Sequence, residues 1–451
     1  MWTSWCSFGT GFRSGGSSVI PAEWDEVAAL ELGALELRGD GDAAGRITGV
    51  KADSRLVGPG DLFVALNTGL AHVAEAASRG ASTLVPDDQE AALAALASLV
   101  RSKSNAHVVA VVGSAGKTST KDILGALCNA TTPTIWAEAS QNNEIGLPLT
   151  VCRLEPDTAV LVTEMGMRGM GQIAALCAVA RPDVVLVTSI GPEHLEFVGT
   201  VERVAEANAE AIAALPRGGI AVVPADVPEL APHLGRPQIE IRRFDRSAIV
   251  GDGHDWRFPL GDQEIPLRLP FASRHMAENT LAALVAYDAL GLPLERVQAG
   301  ADAITLSRWR GEGVPLPGGG IVVNDAYNAN PVSMRAALLD LVARAGDSRR
   351  VAILGEMAEL GVHSRRYHDE IGALLSELGV ELVIAVGEGA RPFLEGAGPP
   401  SRHWLSNVAS FDSVASLLHP GDAILVKASR AVGLEGIPAS IEKRARAWFE
   451  S

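Results

Sequence analysis

The sequence predicts an α/β protein of three domains. Two long stretches show fully apolar strand patterns that alternate with helical patterns, which is typical of parallel sheets covered on both faces. A shorter segment with mixed helix and strand patterns comes before them. We expect a small α/β N-terminal domain at residues 19–105, a central parallel-sheet domain at 106–310 and a C-terminal Rossmann-like domain at 311–451.

The length and composition fit this plan. With 451 residues and 47% hydrophobic content, the chain can build two or three cores. A formal net charge of −16 disfavours nucleic acid and anionic membranes as partners, so an anionic ligand needs a local positive site. No apolar run is long enough to span a bilayer, and the cysteines lack paired or metal-type spacing. These features predict a cytoplasmic protein without membrane insertion.

Three patterns in the first block predict the small domain. They are a helical pattern at Trp24–Leu37, a short strand at Asp61–Leu66 and an Ala-rich helix at Glu90–Val100. The residues before this block, 1–18, are rich in Gly and Ser towards their end and lack the basic start and apolar run of a signal peptide. We therefore expect a leader without a role in the fold.

Buried-type strands recur through the rest of the chain. In the central domain we predict strands at residues 107–112, 159–163, 183–188 and 220–223. A loop-like stretch follows at 311–320, and strands then return at 321–324, 350–354, 381–386 and 423–427. Both series predict doubly wound sheets.

The most informative stretch is VVAVVGSAGKTSTKDILGAL at 108–127, where a buried strand enters a Gly-rich turn and then a helix. Gly113 and Gly116 permit a tight turn whose N–H groups can face phosphate oxygens beside a helix N-terminus. Lys117 can reach the terminal phosphates and Thr118 can ligate Mg²⁺. The usual GxxxxGKT pattern is incomplete because residue 111 is Val, but the context predicts a P-loop-type ATPase domain. The predicted ATP-binding residues of this loop are Gly113, Ser114, Ala115, Gly116, Lys117, Thr118 and Ser119.

Polar residues follow two later strands of the central domain. Glu164 comes after the strand at 159–163, and His194 lies in the loop after the strand at 183–188. Because the carboxyl ends of parallel strands meet at one edge of a sheet, both side chains are candidate Mg²⁺ ligands beside the phosphate loop. Taken singly, a strand-end Glu and a loop His are more often solvated or capping residues, and His is an uncommon Mg²⁺ ligand.

Seven segments together resemble the Mur ligase family, and they follow one another in the family's order from about residue 47 onward. They are GSAGKTSTKD (113–122), QNNEIGLPLT (141–150), EMGMRGMGQI (164–173), SIGPEHLEFVG (189–199), NDAYNANPVSMRAAL (324–338), LGEMAELG (354–361) and LVKASR (425–430). Within the family, the resemblance is to the branch that adds D-alanyl-D-alanine to a UDP-N-acetylmuramoyl tripeptide in peptidoglycan precursor synthesis.

This resemblance implies a division of labour between the domains. The N-terminal domain would hold the UDP-sugar peptide, the central domain ATP, and the C-terminal domain would close over ATP and receive the amine. The implied reaction forms an acyl phosphate, from which the amine of D-Ala-D-Ala displaces phosphate. The implied cofactors are ATP and Mg²⁺, the partners are these small-molecule substrates, and the chain is expected to be a monomer.

The resemblance also implies roles for individual residues. Thr118 and Glu164 would bind one Mg²⁺ and His194 a second. Asn279 would contact adenine, Arg310 the γ-phosphate and Asp325 the ribose. The expected catalytic residues are thus Lys117, Glu164, His194 and Arg310, and the expected substrate-binding residues are Ser54, Arg55, Asn142, Asn143, Lys427, Ser429 and Arg430. For the C-terminal residues, helix capping is the competing interpretation.

Three departures from the family pattern bear on activity. The family carries a lysine, carbamylated to bridge the metal ions, where this chain has Asn208 on a predicted helix at Val201–Leu215. Either this amide faces the metal site, giving a slower enzyme or one with a substitute ligand such as Glu210, or neighbouring backbone satisfies it. The N-terminal loop is shorter than the family's, which leaves His72 as the candidate for substrate contact near the pyrophosphate. The third departure is Ala428, where the family usually has Gly.

Other function classes stay open at this level. A catalytically weakened nucleotide-binding relative would explain Asn208 and the short loop together, and would bind ATP without releasing phosphate. A folylpolyglutamate synthetase or cyanophycin-type ligase would share the phosphate loop but not the YNANP and EMGMRGMGQI blocks. A plain ATPase would turn over ATP without an added amine. The sequence does not distinguish diaminopimelate from lysine as the third peptide residue.

Overall fold

The computed structural model describes residues 19–20, 22–38, 46–395 and 401–450, with side chains through residue 446. The predicted leader at 1–18 lies outside these residues. Three α/β units follow one another along the chain, each around its own sheet, as the sequence predicts. None of the helices within the described residues combines the length and the hydrophobicity that a bilayer-spanning segment needs.

The N-terminal unit is built on a four-stranded mixed sheet. Its strands lie in the order Gly33–Glu36, Ser82–Pro86, Asp61–Val64 and Gly49–Lys51, and only the first pairs with its neighbour in antiparallel fashion. The unit also contains a ribbon of two short strands, Ala22–Glu23 and Arg46–Ile47, and the α-helices Trp24–Ala28, Val73–Ser78 and Gln89–Ser102.

The helix predicted at Trp24–Leu37 is wrong for its second half. It ends at Ala28, and the chain passes through Glu31, whose φ is +51°, into the strand Gly33–Glu36. A Cβ on Gly33 would lie 2.3 Å from the carbonyl oxygen of Val85 on the neighbouring strand. Sheet pairing at this close approach therefore overrides the local helical pattern.

The central unit is a six-stranded parallel sheet covered by helices. Its strand order is Glu240–Phe244, Ile220–Pro224, Val184–Val187, His107–Val112, Val160–Glu164 and Thr134–Trp136. Its α-helices are Lys117–Asn129, Gly146–Val151, Gln172–Ala180, Leu195–Val198, Val201–Ala214, Arg274–Ala289 and Val297–Asp302, and a small antiparallel sheet of Val250–Asp252, Asp255–Leu260 and Gln263–Arg268 packs alongside. The four predicted strands are confirmed.

The position of one strand explains where the site lies. His107–Val112 comes first in the central sheet along the chain, yet it pairs with Val160–Glu164 on one side and Val184–Val187 on the other. The chain order therefore reverses at this strand, and the residues after its carboxyl end open into the crevice where parallel sheets bind ligands. Residues 108–112 have no exposed surface, which fixes the start of the loop that follows.

The C-terminal unit is a second six-stranded sheet. Its strand order is Glu312–Pro315, Ile321–Asp325, Ala423–Lys427, Arg350–Gly355, Leu382–Val386 and Ser401–Leu405, and its α-helices are Pro331–Ala345, Ser364–Glu377 and Ile437–Glu450. The loop predicted at 311–320 is wrong in part, because its first half forms the strand Glu312–Pro315, the one antiparallel member. That strand lies at the sheet edge, where Pro315 is tolerated.

Candidate active site

A glycine with left-handed geometry begins the helix that follows the phosphate loop. Gly116 is the N-cap of the helix Lys117–Asn129 and has φ +82°. A Cβ at this position would lie 2.5 Å from the Asn279 side-chain oxygen. The predicted nucleotide residue Asn279, on the helix Arg274–Ala289, thus lies directly beside the loop, and only glycine fits between them.

The first three N–H groups of the loop donate into the protein. Gly113 donates to Asn208 Oδ1 at 2.7 Å, Ser114 to the Ser189 carbonyl at 2.8 Å and Ala115 to Ser189 Oγ at 2.9 Å. In this structure, protein acceptors therefore hold these three N–H groups, and ATP binding by Gly113, Ser114 and Ala115 stays a prediction. The donors left for an anion are those at the helix start, Gly116 to Ser119, where no intrahelical carbonyl is available.

Lys117 rests within the loop that precedes it. Its ammonium group donates to the Gly113 carbonyl and lies 3.5 Å from Glu193 Oε2. The Glu193 side chain is only 7% exposed, so the pair is largely shielded from water. Lys117 supplies a positive charge beside the free donors of the helix N-terminus, in keeping with an anion site.

Thr118, Ser140 and Arg310 form a cluster at the start of the same helix. The hydroxyls of Thr118 and Ser140 lie 3.1 Å apart, and Arg310 Nη2 donates to Thr118 at 2.9 Å and to Ser140 at 3.2 Å. The Arg310 guanidinium also stacks 4.0 Å from the centroid of the Tyr327 ring, which belongs to the C-terminal unit. Arg310 therefore connects that unit with the end of the phosphate loop.

Glu164 has the character of a cation ligand. It ends the strand Val160–Glu164 and is 1% exposed. Asn142 Nδ2 donates to Oε1 at 2.7 Å, whereas Oε2 is buried with no hydrogen-bond partner among the described residues. A buried carboxylate oxygen left unsatisfied is costly, and a bound cation would satisfy it.

The rest of a metal shell would have to come from elsewhere. Within the described ranges, no group of three or more His, Cys, Asp or Glu side chains could hold a metal ion. Mg²⁺ is usually bound in this way, by one or two protein oxygens together with substrate phosphates and water. The Glu164 carboxylate fits that kind of site.

His194 lies at the junction with the C-terminal unit. Its Nδ1 is hydrogen-bonded to Glu359 Oε2, and its Nε2 is 3.8 Å from Glu193 Oε2. Arg168 reaches the other oxygen of Glu359 at 3.2 Å. The Glu196 N–H donates to the Glu359 carbonyl at 3.0 Å. Glu359 therefore fixes the His194 ring and joins the two units.

A second junction forms at the phosphate loop itself. Asn330 Nδ2 donates to the Ser114 carbonyl at 3.0 Å, and Asn330 Oδ1 accepts from the Ser333 N–H at 2.8 Å. Asn330 thus both begins the helix Pro331–Ala345 and holds the loop. The C-terminal unit is docked on the crevice through this contact as well as through Glu359.

The polar residues predicted at the C-terminal strand ends are largely paired with each other. Lys427 is 1% exposed, and its Nζ lies 2.5 Å from Asp325 Oδ2 and 2.8 Å from the Asn328 carbonyl. Burial lowers the pKa of Lys427, and the Asp325 carboxylate opposes that shift. Ser429 accepts from the Ala358 N–H at 2.8 Å. For Lys427 and Ser429, these bonds are contacts within the C-terminal unit, and none of them is a helix cap.

Arg430 and Ala428 have different surroundings. Arg430 keeps 40% of its side chain exposed, pairs with Glu435 at 3.1 Å and stacks 4.4 Å from the Trp309 ring centroid. Ala428 is fully buried, and a Cβ on Gly355 would lie 2.6 Å from its methyl group. The chain therefore accommodates the methyl of Ala428 by placing a glycine opposite it.

The remaining predicted substrate residues lie in two places. In the central unit, Asn143 Oδ1 accepts from the Gly146 N–H at 2.9 Å, at the start of a short helix, while Asn142 donates to Glu164.

In the N-terminal unit, Ser54 donates to Glu75 at 3.0 Å, Arg55 pairs with Asp53 at 2.8 Å and His72 is 3.2 Å from Glu75. The named contacts of Ser54 and His72 lie within the N-terminal unit.

Comparison with known proteins identifies the family. Residues 111–287 match the Mur ligase middle domain, and residues 309–430 match the Mur ligase, glutamate ligase domain. The UDP-N-acetylmuramoyl-tripeptide–D-alanyl-D-alanine ligase of Mycobacterium tuberculosis is 33% identical over 91% of this chain and 96% of its own. The chain belongs to the Mur ligase family. The corresponding Escherichia coli enzyme is 30% identical over 87% of this chain and 93% of its own.

Solved structures agree with this assignment to the Mur ligases. MurF from Acinetobacter baumannii superposes with a TM-score of 0.81 at 25% identity, covering 94% of this chain and 100% of that one. MurF ligase from Thermotoga maritima, solved in complex with ADP, gives a TM-score of 0.75 at 26% identity, covering 88% and 98%. Mur ligases use ATP, so the crevice at the phosphate loop is the place to expect it.

Two residues that bear on a departure from the Mur ligase pattern are now located. Asn208 is 1% exposed, and its amide is satisfied by the Gly113 N–H and by the Val204 carbonyl at 2.9 Å. The interpretation that backbone satisfies it is confirmed. Glu210 accepts from the N–H groups of Gly171 and Ala174 at the start of a helix, so its suggested role as a substitute metal ligand is wrong.

Several site residues were missed by sequence reasoning. They are Ser140, Ser189, Glu193, Asn330 and Glu359. All of them lie inside or beside the segments that resemble the family, and that was the available signal. Their partners are distant in sequence, as in the His194–Glu359 contact across 165 positions, so local patterns could not pair them.

Gly116→Ala is expected to raise the KM for ATP about tenfold or more. That increase corresponds to a loss of at least about 1.4 kcal/mol of binding free energy. The methyl group would meet the Asn279 oxygen at 2.5 Å and strain a left-handed residue. Gly218→Ala is the matched control, because Gly218 also has φ +82° but an added Cβ would meet nothing within 4 Å. Steady-state kinetics in ATP measure both, and equal KM values would contradict the close fit at Gly116.

Proposed function

We propose that this Mur ligase joins D-alanyl-D-alanine to UDP-N-acetylmuramoyl tripeptide and converts ATP to ADP and phosphate. The observation that carries the proposal is the Arg310 bridge, which ties the C-terminal unit to Thr118 at the end of the phosphate loop, next to Lys117. This arrangement supports a nucleotide held between two domains. The substrates follow from the relatives that match nearly the whole chain.

The chemistry requires two anions to meet. The tripeptide carboxylate attacks the γ-phosphorus, the bond to the bridging oxygen breaks, and ADP leaves. The amine of the dipeptide then attacks the acyl carbon, phosphate leaves, and the amine loses a proton. Both steps depend on charge screening and alignment more than on covalent work by the protein. Lys117 and Arg310 supply the screening charges, and the first-turn N–H groups orient the phosphates.

Magnesium completes this proposal. Thr118 and Glu164 would hold one Mg²⁺, and bound Mg²⁺ neutralises charge that develops on the phosphates. His194 would hold a second ion through Nε2, because Glu359 occupies Nδ1 and, among the described residues, Nε2 has only the Glu193 carboxylate nearby, at 3.8 Å. A carboxylate behind a ligating histidine is the usual way to fix its ring and tautomer.

The other predicted site residues would bind different parts of the substrates. Asn279 and Asp325 would contact the nucleoside of ATP. Arg430, which is cationic and 40% exposed, would meet the dipeptide carboxylate, whereas Lys427 and Ser429 would act by shaping the strand ends. Ser54, Arg55, Asn142 and Asn143 would bind the UDP-sugar peptide. The proposed enzyme acts in the cytoplasm as a monomer.

Release of ADP and phosphate, measured with each substrate omitted in turn, tests the proposal. We expect release only when ATP, Mg²⁺, the UDP-N-acetylmuramoyl tripeptide and D-Ala-D-Ala are all present. Release that continues without D-Ala-D-Ala would identify an ATPase instead. ATP binding without release of phosphate in the complete mixture would identify a catalytically weakened relative. That relative is the second candidate, because Asn208 replaces the family's lysine and bonds to backbone.

A further inference from the structure

Asn208 connects a helix behind the sheet with the first residue of the phosphate loop. Its Nδ2 donates to the Val204 carbonyl, one turn earlier on the helix Val201–Ala214, at 2.9 Å. That bond fixes the orientation of the amide, so Oδ1 points away from the helix backbone. Oδ1 accepts from the Gly113 N–H at 2.7 Å, and both residues are buried.

Gly113 is the point at which this contact can affect nucleotide binding. Asn208 holds the peptide group before Gly113, and the Ser189 carbonyl holds the one after it through the Ser114 N–H. The carbonyl of Gly113 accepts from the Lys117 ammonium group. The backbone at Gly113, with φ +125°, is thus fixed from both sides while it places Lys117.

We propose that Asn208 is a positioning residue that sets the phosphate loop, and through Gly113 the resting place of Lys117, before the nucleotide binds. This inference rests on the proposed function only in that the loop binds ATP. Asn208 would touch neither substrate nor metal. Its contribution is preorganisation: a loop already held in shape loses less conformational freedom when phosphate binds, and so binds it more tightly.

Removing the acceptor gives a direct test. In Asn208→Ala the buried Gly113 N–H has no partner, so the loop moves to find one or pays the cost of leaving it unsatisfied. We expect the Kd for ADP and for ATP, measured by calorimetry, to rise about tenfold. We also expect faster amide hydrogen exchange in the peptide covering residues 108–117, which reports on the loop directly.

Ile212→Ala is the matched control for general damage to the helix. Ile212 is fully buried on the same helix, one turn after Asn208, and its truncation should lower Tm at least as much. We expect this variant to keep the nucleotide Kd and the loop exchange of the parent.

The outcomes separate a positioning role from a structural one. Equal changes in nucleotide Kd for Asn208→Ala and Ile212→Ala, or unchanged loop exchange in Asn208→Ala, would overturn the inference. Should the alanine variant not fold, Asn208→Ser makes the same comparison, because serine can bond the Val204 carbonyl but is too short to reach Gly113. These readouts need only nucleotide and protein, so failure of the proposed ligation would show separately, in the omission experiment.

Discussion

Lys117→Ala will lower ATP-dependent ligation by at least about a hundredfold, the usual effect of removing one group that stabilises charge in the transition state. Lys117 lies beside the free donors at the N-terminus of the helix Lys117–Asn129, and its present partners are the Gly113 carbonyl and Glu193. When ATP binds, the Lys117 ammonium group would pair with the more highly charged triphosphate. The measurement is the rate of phosphate release with all substrates saturating.

The control for Lys117 is an exposed lysine of the C-terminal unit. Lys443 is exposed on the C-terminal helix Ile437–Glu450, and Lys443→Ala removes the same charge from the chain. We expect this variant to turn over at the parent rate. If Lys117→Ala also kept the parent rate, the phosphate loop would not be the site of phosphoryl transfer.

Glu164→Gln is the second change with a large expected effect, a fall in turnover of roughly a hundredfold or more. Glutamine keeps an oxygen to accept from Asn142 and nearly the same shape, but it loses the charge on the oxygen that has no partner in the described structure. The apparent affinity for Mg²⁺ should fall with it. Titrating turnover against Mg²⁺ measures both effects in one experiment.

The matched control for Glu164 is Glu138→Gln. The Glu138 side chain is 62% exposed and pairs with Arg153 at 3.1 Å, so its loss removes a carboxylate that already has a cationic protein partner. We expect its Mg²⁺ dependence to match the parent. An unchanged Mg²⁺ titration in Glu164→Gln would remove Glu164 from the metal site and leave its unpartnered oxygen without a function.

The sequence predicts the central strands well because they are buried on both faces. His107–Val112 and Ala423–Lys427 each contain a continuous apolar run, and their bounds match the prediction. Edge strands such as Glu240–Phe244, with the sequence EIRRF, carry charges and were missed. The helix prediction around Gly33 was wrong for another reason. The strand Gly33–Glu36 forms by pairing with Ser82–Pro86, which lies far along the chain.

The candidate site shows the same division. The Mur ligase family, the place of the loop and the glycine at its helix start could be read from local patterns. The direction of the loop N–H groups could not, because Gly113 meets Asn208 across 95 positions and Ala115 meets Ser189 across 74. Packing between elements that are distant in sequence decides which protein acceptors lie next to the loop. Local sequence patterns do not show which distant elements pack together.

Transfer of oxygen from substrate to phosphate tests the central claim most directly. The tripeptide is prepared with ¹⁸O in its terminal carboxylate, and the phosphate released during ligation is analysed by mass spectrometry. Ligation through an acyl phosphate predicts one ¹⁸O atom in each phosphate and the other in the new amide carbonyl. Unlabelled phosphate would show that water, and not the carboxylate, attacks ATP, and it would contradict the ligase assigned to this crevice.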